Sequence, residues 1–299
     1  MPNPTRDTTA GRIYNDLRNL ARRTGRPSDQ LMLEYVLERF LFRLSGHPEG
    51  GKHFVLKGGL LLSQFGARRM TRDIDILGRS FSGDEAEITR RIAAVAAIEA
   101  EDGVVFDPTS LTTVPIRQDD EYHGLRLSMT ASLSRAKLKL QLDVSFGDPV
   151  TPEPALIDYP QALGGAPFPV YGYPIATVIA EKLSTAVALG DLNTRDRDYA
   201  DLHQLITRHR LDGHELSDAL TATADHRAIR LRPLSGTITD LPTRRQAPYT
   251  AWLRRQGSSA AHHPTQFTEV VTTVTIFADP LLTGVARQLT WEPQAMSWT

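Results

Sequence analysis

Asp73 and Asp75 flank an isoleucine in the segment Thr71-Arg72-Asp73-Ile74-Asp75-Ile76-Leu77. On a β-strand alternate side chains share a face, so the two carboxylates point one way while Ile74 and Ile76 point the other. The apolar pair anchors the strand and leaves the acidic pair facing a cleft. Like charges held side by side repel, and such a pair is stable mainly with a cation between them. All-oxygen ligation favours Mg2+ or Mn2+. Upstream, Phe54-Val55-Leu56 reads as a short buried strand and Lys57-Gly58-Gly59 as a turn entering a helix over 60–65. Two glycines let the backbone approach a phosphate, whose charge the first N–H groups of the helix attract. Alone, an Asp-x-Asp is more often a solvated edge and a Lys-Gly-Gly more often a simple turn. Together they are the apparatus of metal-dependent nucleotide chemistry.

A third carboxylate comes from the run 138–146, where Leu138, Leu140 and Leu142 alternate with Lys139, Gln141 and Asp143. If this strand lies beside the Asp73/Asp75 strand, Asp143 joins a metal cluster and Lys139 can meet a phosphate. The plainer alternative is that Asp143 caps a turn with Gly147. None of the nine histidines stands at metal-ligand spacing from another ligand type, and His262-His263 reads as exposed loop.

The elements that must position these residues follow from periodicity. Helical spacing runs over 8–45 with a break at Gly25-Arg26-Pro27-Ser28, and over 83–100. The first of these segments is expected to cover one face of a nucleotide-binding domain. Its basic set Arg18, Arg22, Arg23 and Arg26 reads first as a solvated helix face and second as an RNA contact. Residues 104–116, 124–132, 138–146 and 168–171 read as strands. A stretch rich in Pro and Gly, 149–174, marks a domain boundary. Beyond it, 175–189, 196–209 and, more weakly, 212–228 read as helices. Residues 267–277 fit helix or strand because of their β-branched run. The fold class expected is α+β: a mixed β-sheet flanked by helices over 1–160, and a mainly helical C-terminal domain over 161–299 contributing to the active-site cleft.

Composition bounds the function classes. A chain of 299 residues with net charge −1 has no global basic field, though basic residues gathered on one face remain compatible with RNA. The absence of cysteine excludes disulfides, thiolate metal sites and cysteine nucleophiles. No apolar run reaches the length of a bilayer span, so a cytoplasmic protein without membrane contact is expected.

In order along the chain, Lys57-Gly58-Gly59, Arg69-Met70-Thr71-Arg72-Asp73-Ile74-Asp75, Lys139-Leu140-Gln141-Leu142-Asp143 with Gly147-Asp148, Glu181-Lys182-Leu183, and Arg195-Asp196-Arg197-Asp198-Tyr199-Ala200-Asp201-Leu202 resemble the motifs of AbiEii/MenT-type nucleotidyltransferase toxins, within the polymerase-beta-like nucleotidyltransferase superfamily. The resemblance covers roughly residues 50–210. It implies a nucleotidyltransferase-like fold and transfer of a nucleoside monophosphate from an NTP, a pyrimidine one, to the 3′ end of tRNA, which would block aminoacylation and translation. It also implies a monomeric toxin neutralised by a cognate antitoxin encoded nearby. Carried over, Asp73, Asp75 and Asp143 are the metal ligands, with Mg2+ or Mn2+ as cofactor. Lys57, Gly58, Gly59, Lys139 and Lys182 contact the nucleotide, and Lys182 and Asp198 join the catalytic set, Asp201 competing with Asp198. Gly58-Gly59 departs from the more usual Gly-Ser, so a phosphate-holding hydroxyl is missing. Alternatives are transfer to a protein or small-molecule hydroxyl, or a non-catalytic interaction protein on this fold.

Overall fold

A computed structural model describes residues 4–48, 50–67, 71–81, 83–118 and 122–299. The chain divides into two compact units. The first comprises residues 1–61, 70–147 and 155–172; the second comprises 62–69, 148–154 and 173–299.

The first unit opens with α1 (Thr9–Thr24) and α2 (Ser28–Gly46). The hydroxyl of Thr8 caps α1 by accepting from the Gly11 N–H, and Gly25 ends it in the left-handed conformation, which glycine enters without a Cβ penalty. Arg22 and Arg23 are exposed, and Arg26 pairs with Glu34. The strands are β1 (Phe54–Lys57), β2 (Ile74–Gly78), β3 (Val104–Gln118), β4 (Tyr122–Leu133), β5 (Ala136–Phe146), β6 (Ala155–Tyr159) and β7 (Phe168–Gly172). Two further helices are α3 (Gly58–Leu62), immediately after β1, and α4 (Glu85–Ala96). The strands form one mixed sheet in the order β3-β4-β5-β2-β1-β7-β6. The β2–β5 and β1–β7 pairs are parallel; the others are antiparallel. The expected α+β class is therefore borne out.

Helix α2 packs on β4, β5 and β7, and α4 packs on α2 and β3. Leu140, Leu142 and Val144 of β5 and Ile74 and Ile76 of β2 are buried, at most 1% exposed. The alternating polar positions of both strands therefore face away from that apolar layer. Behind it lies a buried ion pair. Arg43 donates to Asp102 Oδ2 at 2.7 Å and Oδ1 at 3.1 Å, and to the carbonyls of Ile98, Arg39 and Val104.

The second unit is mainly helical: α5 (Ile175–Leu189), α6 (Asp196–Ile206), α7 (Gly213–His226), α8 (Leu241–Arg255) and α9 (Phe267–Leu282). It also carries a small sheet of β8 (Leu211–Asp212), β9 (Thr290–Glu292) and β10 (Ser297–Trp298). The ambiguous β-branched run is a helix. Phe267, Val270, Val271, Val274, Phe277, Ala278 and Leu281 are all buried at helical spacing, which a strand's alternation would not give. Helix α8 is hidden from sequence reading by Pro242 and Pro248. Its start is held from a distance, because Asp191 accepts from the backbone N–H groups of Thr239, Asp240 and Leu241. Those bonds and the Thr239 hydroxyl hold the Asp191 carboxyl down to about 2.

His263 corrects the expectation of an exposed loop: it is buried beside Trp252, while His262 is exposed. Burial pushes its imidazole down to about 4 and lowers that of His203 too. An imidazole that takes a proton near 6.5 in the unfolded chain but only near 4 in the fold makes the unfolded state the better proton binder between those values. Folding stability is thus expected to fall as the pH drops through that window, by on the order of 1–2 kcal/mol from His263. Thermal unfolding at pH 7.5 and pH 5 checks it: His263→Gln should lose less on acidification than the unmodified chain, and equal losses would contradict it.

Candidate active site

Parallel pairing of β2 with β5 places Asp75 directly beside Asp143. Asp73 sits in a bend immediately before β2 rather than within the strand. Its position is held by Thr71, whose hydroxyl donates to Asp73 Oδ1 at 3.1 Å and to the Asp73 carbonyl at 3.3 Å. One oxygen from each of Asp73, Asp75 and Asp143 lies within 4.8 Å of the others, all three residues half-buried. A hard octahedral cation with ligands near 2.1 Å needs such oxygens roughly 3–4 Å apart, so small side-chain rotations would close the triangle. The all-carboxylate donor set fits a hard divalent cation in its chemistry.

Lys57 ends β1 directly across from Asp75 in the antiparallel β1–β2 pair, which puts both on one face of the sheet. Gly58 follows at φ +67°, and a Cβ built there would lie 1.8 Å from Asp75 Oδ2. Glycine is needed for two reasons, the left-handed backbone and the room taken by the Asp75 carboxylate. The helix that Gly58 opens is five residues long, not the longer one expected over 60–65, and Ser63–Phe65 continue it as a tighter 3-10 turn. Gly59 is buried in its first turn.

Lys139 shares the polar face of β5 with Asp143 and is exposed. Four residues of strand separate the two, about 13 Å at 3.3 Å per residue, so Lys139 is not brought to the cluster. In the second unit Lys182 is held by two acids, donating from Nζ to Asp198 Oδ1 at 2.7 Å and to Asp201 Oδ2 at 2.9 Å. Asp198 and Asp201 thus share Lys182. Arg195 approaches Asp198 at 4.0 Å. Arg69 and Met70 lie outside the described residues.

Sequence reasoning missed Arg126. It stands opposite Asp143 in the β4–β5 register and closes a two-pronged grip on it, Nε to Oδ1 at 2.8 Å and Nη2 to Oδ2 at 2.6 Å. The hydrogen bonds to Asp143 hold the guanidinium above its ordinary value, and the charges of Asp143, Asp73 and Asp75 add to the effect. The available signal was the strand itself, once its register against Asp143 is fixed.

Solved structures with a related course of chain include JHP933 from Helicobacter pylori, at 16% identity and a TM-score of 0.46, covering 82% of this chain and 93% of that one. A second H. pylori protein, described as a candidate nucleotidyltransferase, stands at 15% identity and a TM-score of 0.44, covering 82% and 95%. Likenesses at this level bear on neither substrate nor mechanism. No curated protein matches. Residues 39–273, which include every carboxylate and lysine of the site just described, match the family described as the nucleotidyl transferase AbiEii toxin of type IV toxin–antitoxin systems. That match spans well over half of the chain: it belongs to the AbiEii nucleotidyltransferase toxin family of type IV toxin–antitoxin systems, which implies an antitoxin as counterpart.

Proposed function

We propose that the chain transfers a nucleoside monophosphate from a pyrimidine NTP to the 3′ end of tRNA in a reaction that requires a divalent cation, so that the tRNA can no longer be aminoacylated. The observation that carries the reading is the convergence of Asp73, Asp75 and Asp143 to within 4.8 Å in a chain of this family. The tRNA acceptor and the pyrimidine rest on the likeness of its motifs to MenT-type members.

In this reading the ribose hydroxyl at the tRNA terminus attacks the α-phosphorus in line. A new O–P bond forms, the hydroxyl proton passes to solvent, the bond from the α-phosphorus to the bridging oxygen breaks, and pyrophosphate leaves. Mg2+ or Mn2+ held by the three aspartates would supply neutralisation of the charge that builds on the phosphate oxygens. The chain's own residues do the positioning. Gly58 leaves space for the Asp75 carboxylate, and Thr71 fixes Asp73. Lys57, on the same face as Asp75, is the cation nearest in register for a triphosphate.

The test incubates the purified protein with Mg2+ and each of the four α-labelled NTPs, with total RNA as acceptor. Label from CTP or UTP should appear at the 3′ end of tRNA, and EDTA should abolish it. Label on a protein or a small molecule instead would replace the acceptor, and no label in any fraction would end the enzymatic reading.

A further inference from the structure

Arg126 carries more information than its ion pair alone. The three aspartates bring three negative charges to one spot, and Arg126 returns one positive charge. Arg126 is also half-exposed, its side chain 44% accessible against 19% for Asp143, so it can leave the carboxylate without disturbing the core. Water reaches the guanidinium side of the pair and screens it, while its two-pronged geometry holds it in the empty site.

We propose that Arg126 is a built-in counter-charge that couples metal loading to nucleotide binding: without nucleotide it stands in for part of a cation on Asp143, and an incoming triphosphate draws it away. The inference rests on the metal reading of the carboxylate cluster. Its physical content is competition. A guanidinium on Asp143 repels a divalent ion bound to the same carboxylate and uses lone pairs the ion would take. Triphosphate oxygens accept a guanidinium as well as a carboxylate does, so the nucleotide offers Arg126 an alternative partner. The empty site then binds bare metal weakly, and binds metal together with nucleotide well.

Two titrations on the full chain test this, with folding of each variant checked by circular dichroism. In the first, Mn2+ binding without nucleotide is followed by the electron paramagnetic resonance signal of the free ion. Arg126→Gln should tighten Mn2+ binding by roughly tenfold or more, as removal of a nearby positive charge from a partly solvated site predicts. Arg126→Lys keeps the charge and should stay near the unmodified chain. In the second, a fluorescent non-hydrolysable NTP analogue is titrated at saturating Mn2+. Arg126→Gln should weaken its binding by a similar factor, because the triphosphate has lost a partner. A merely orienting role for Arg126 predicts weaker Mn2+ binding in Arg126→Gln, and a merely structural one predicts no change. Either result, or unchanged binding of the analogue, overturns the proposal. Failure of both the unmodified chain and Arg126→Gln to take up Mn2+, with or without the analogue, removes the metal reading itself and this inference with it.

Discussion

Asp75→Asn is expected to lower nucleotidyl transfer by at least about a thousandfold while the protein stays folded. The substitution keeps the shape of the side chain and removes the charge that a cation needs. Asp75 is the central acid by position: β2 sets it beside Asp143, and Asp73 precedes it by two residues on the same side. Its loss therefore breaks the cluster rather than trimming one end. The fold should not suffer, because the anchoring is done by the buried Ile74 and Ile76, and removing one of three like charges relieves repulsion in the metal-free protein. Transfer of label to RNA and the thermal midpoint, measured on the same preparation, decide the matter. Activity within about tenfold of the unmodified chain, with the midpoint unchanged, would show that Asp75 does not hold the reacting assembly.

The largest effect on stability is expected at Arg43. Its five N–H donors are all engaged, two on Asp102 and three on backbone carbonyls, and the side chain is 1% exposed. Arg43→Met fills similar space but leaves the Asp102 carboxylate facing the interior without its cation, with three carbonyls deprived as well. The cost should be about 3–5 kcal/mol, read as a shift in the urea unfolding midpoint. Arg43→Lys should recover little, since an ammonium offers three donors from one point and cannot form the fork. Adding Asp102→Asn to Arg43→Met should restore part of the loss by removing the stranded charge. A cost below about 1 kcal/mol for Arg43→Met would mean that water replaces the guanidinium there.

Much of the site is legible in the sequence because both of its strands have one apolar face and one polar face. Ile74 and Ile76 against Asp75, and Leu140, Leu142 and Val144 against Asp143, declare by period two which way the carboxylates point. What the sequence does not contain is the neighbour relation. Strand β5 follows β3 and β4 in an antiparallel series, and only the sheet's third contact brings it against β2. Parallel pairing of strands so distant in the chain leaves no local turn signal. Arg126 is invisible for the same reason, since its partner is fixed by register and not by spacing. Gly58 is legible as a glycine-requiring turn, but its reason differs: the space is taken by Asp75, which no local pattern reveals. In the second unit, α8 escapes notice because a carboxylate far back in the chain, Asp191, secures its start. Lys182 shows the opposite case, where the residue is legible but its partners, Asp198 and Asp201, bind it more closely than a lysine awaiting a phosphate.

The order β3-β4-β5-β2 also sets when the three carboxylates can come together during synthesis. A chain emerging from the ribosome displays Asp73 and Asp75 early, yet Asp143 reaches them only after α4, β3 and β4 have been synthesised and β5 has slid in beside β2. Every product truncated before β5 lacks Asp143 and the strand that sets it beside Asp75, so no fragment of that length can assemble the three-carboxylate cluster.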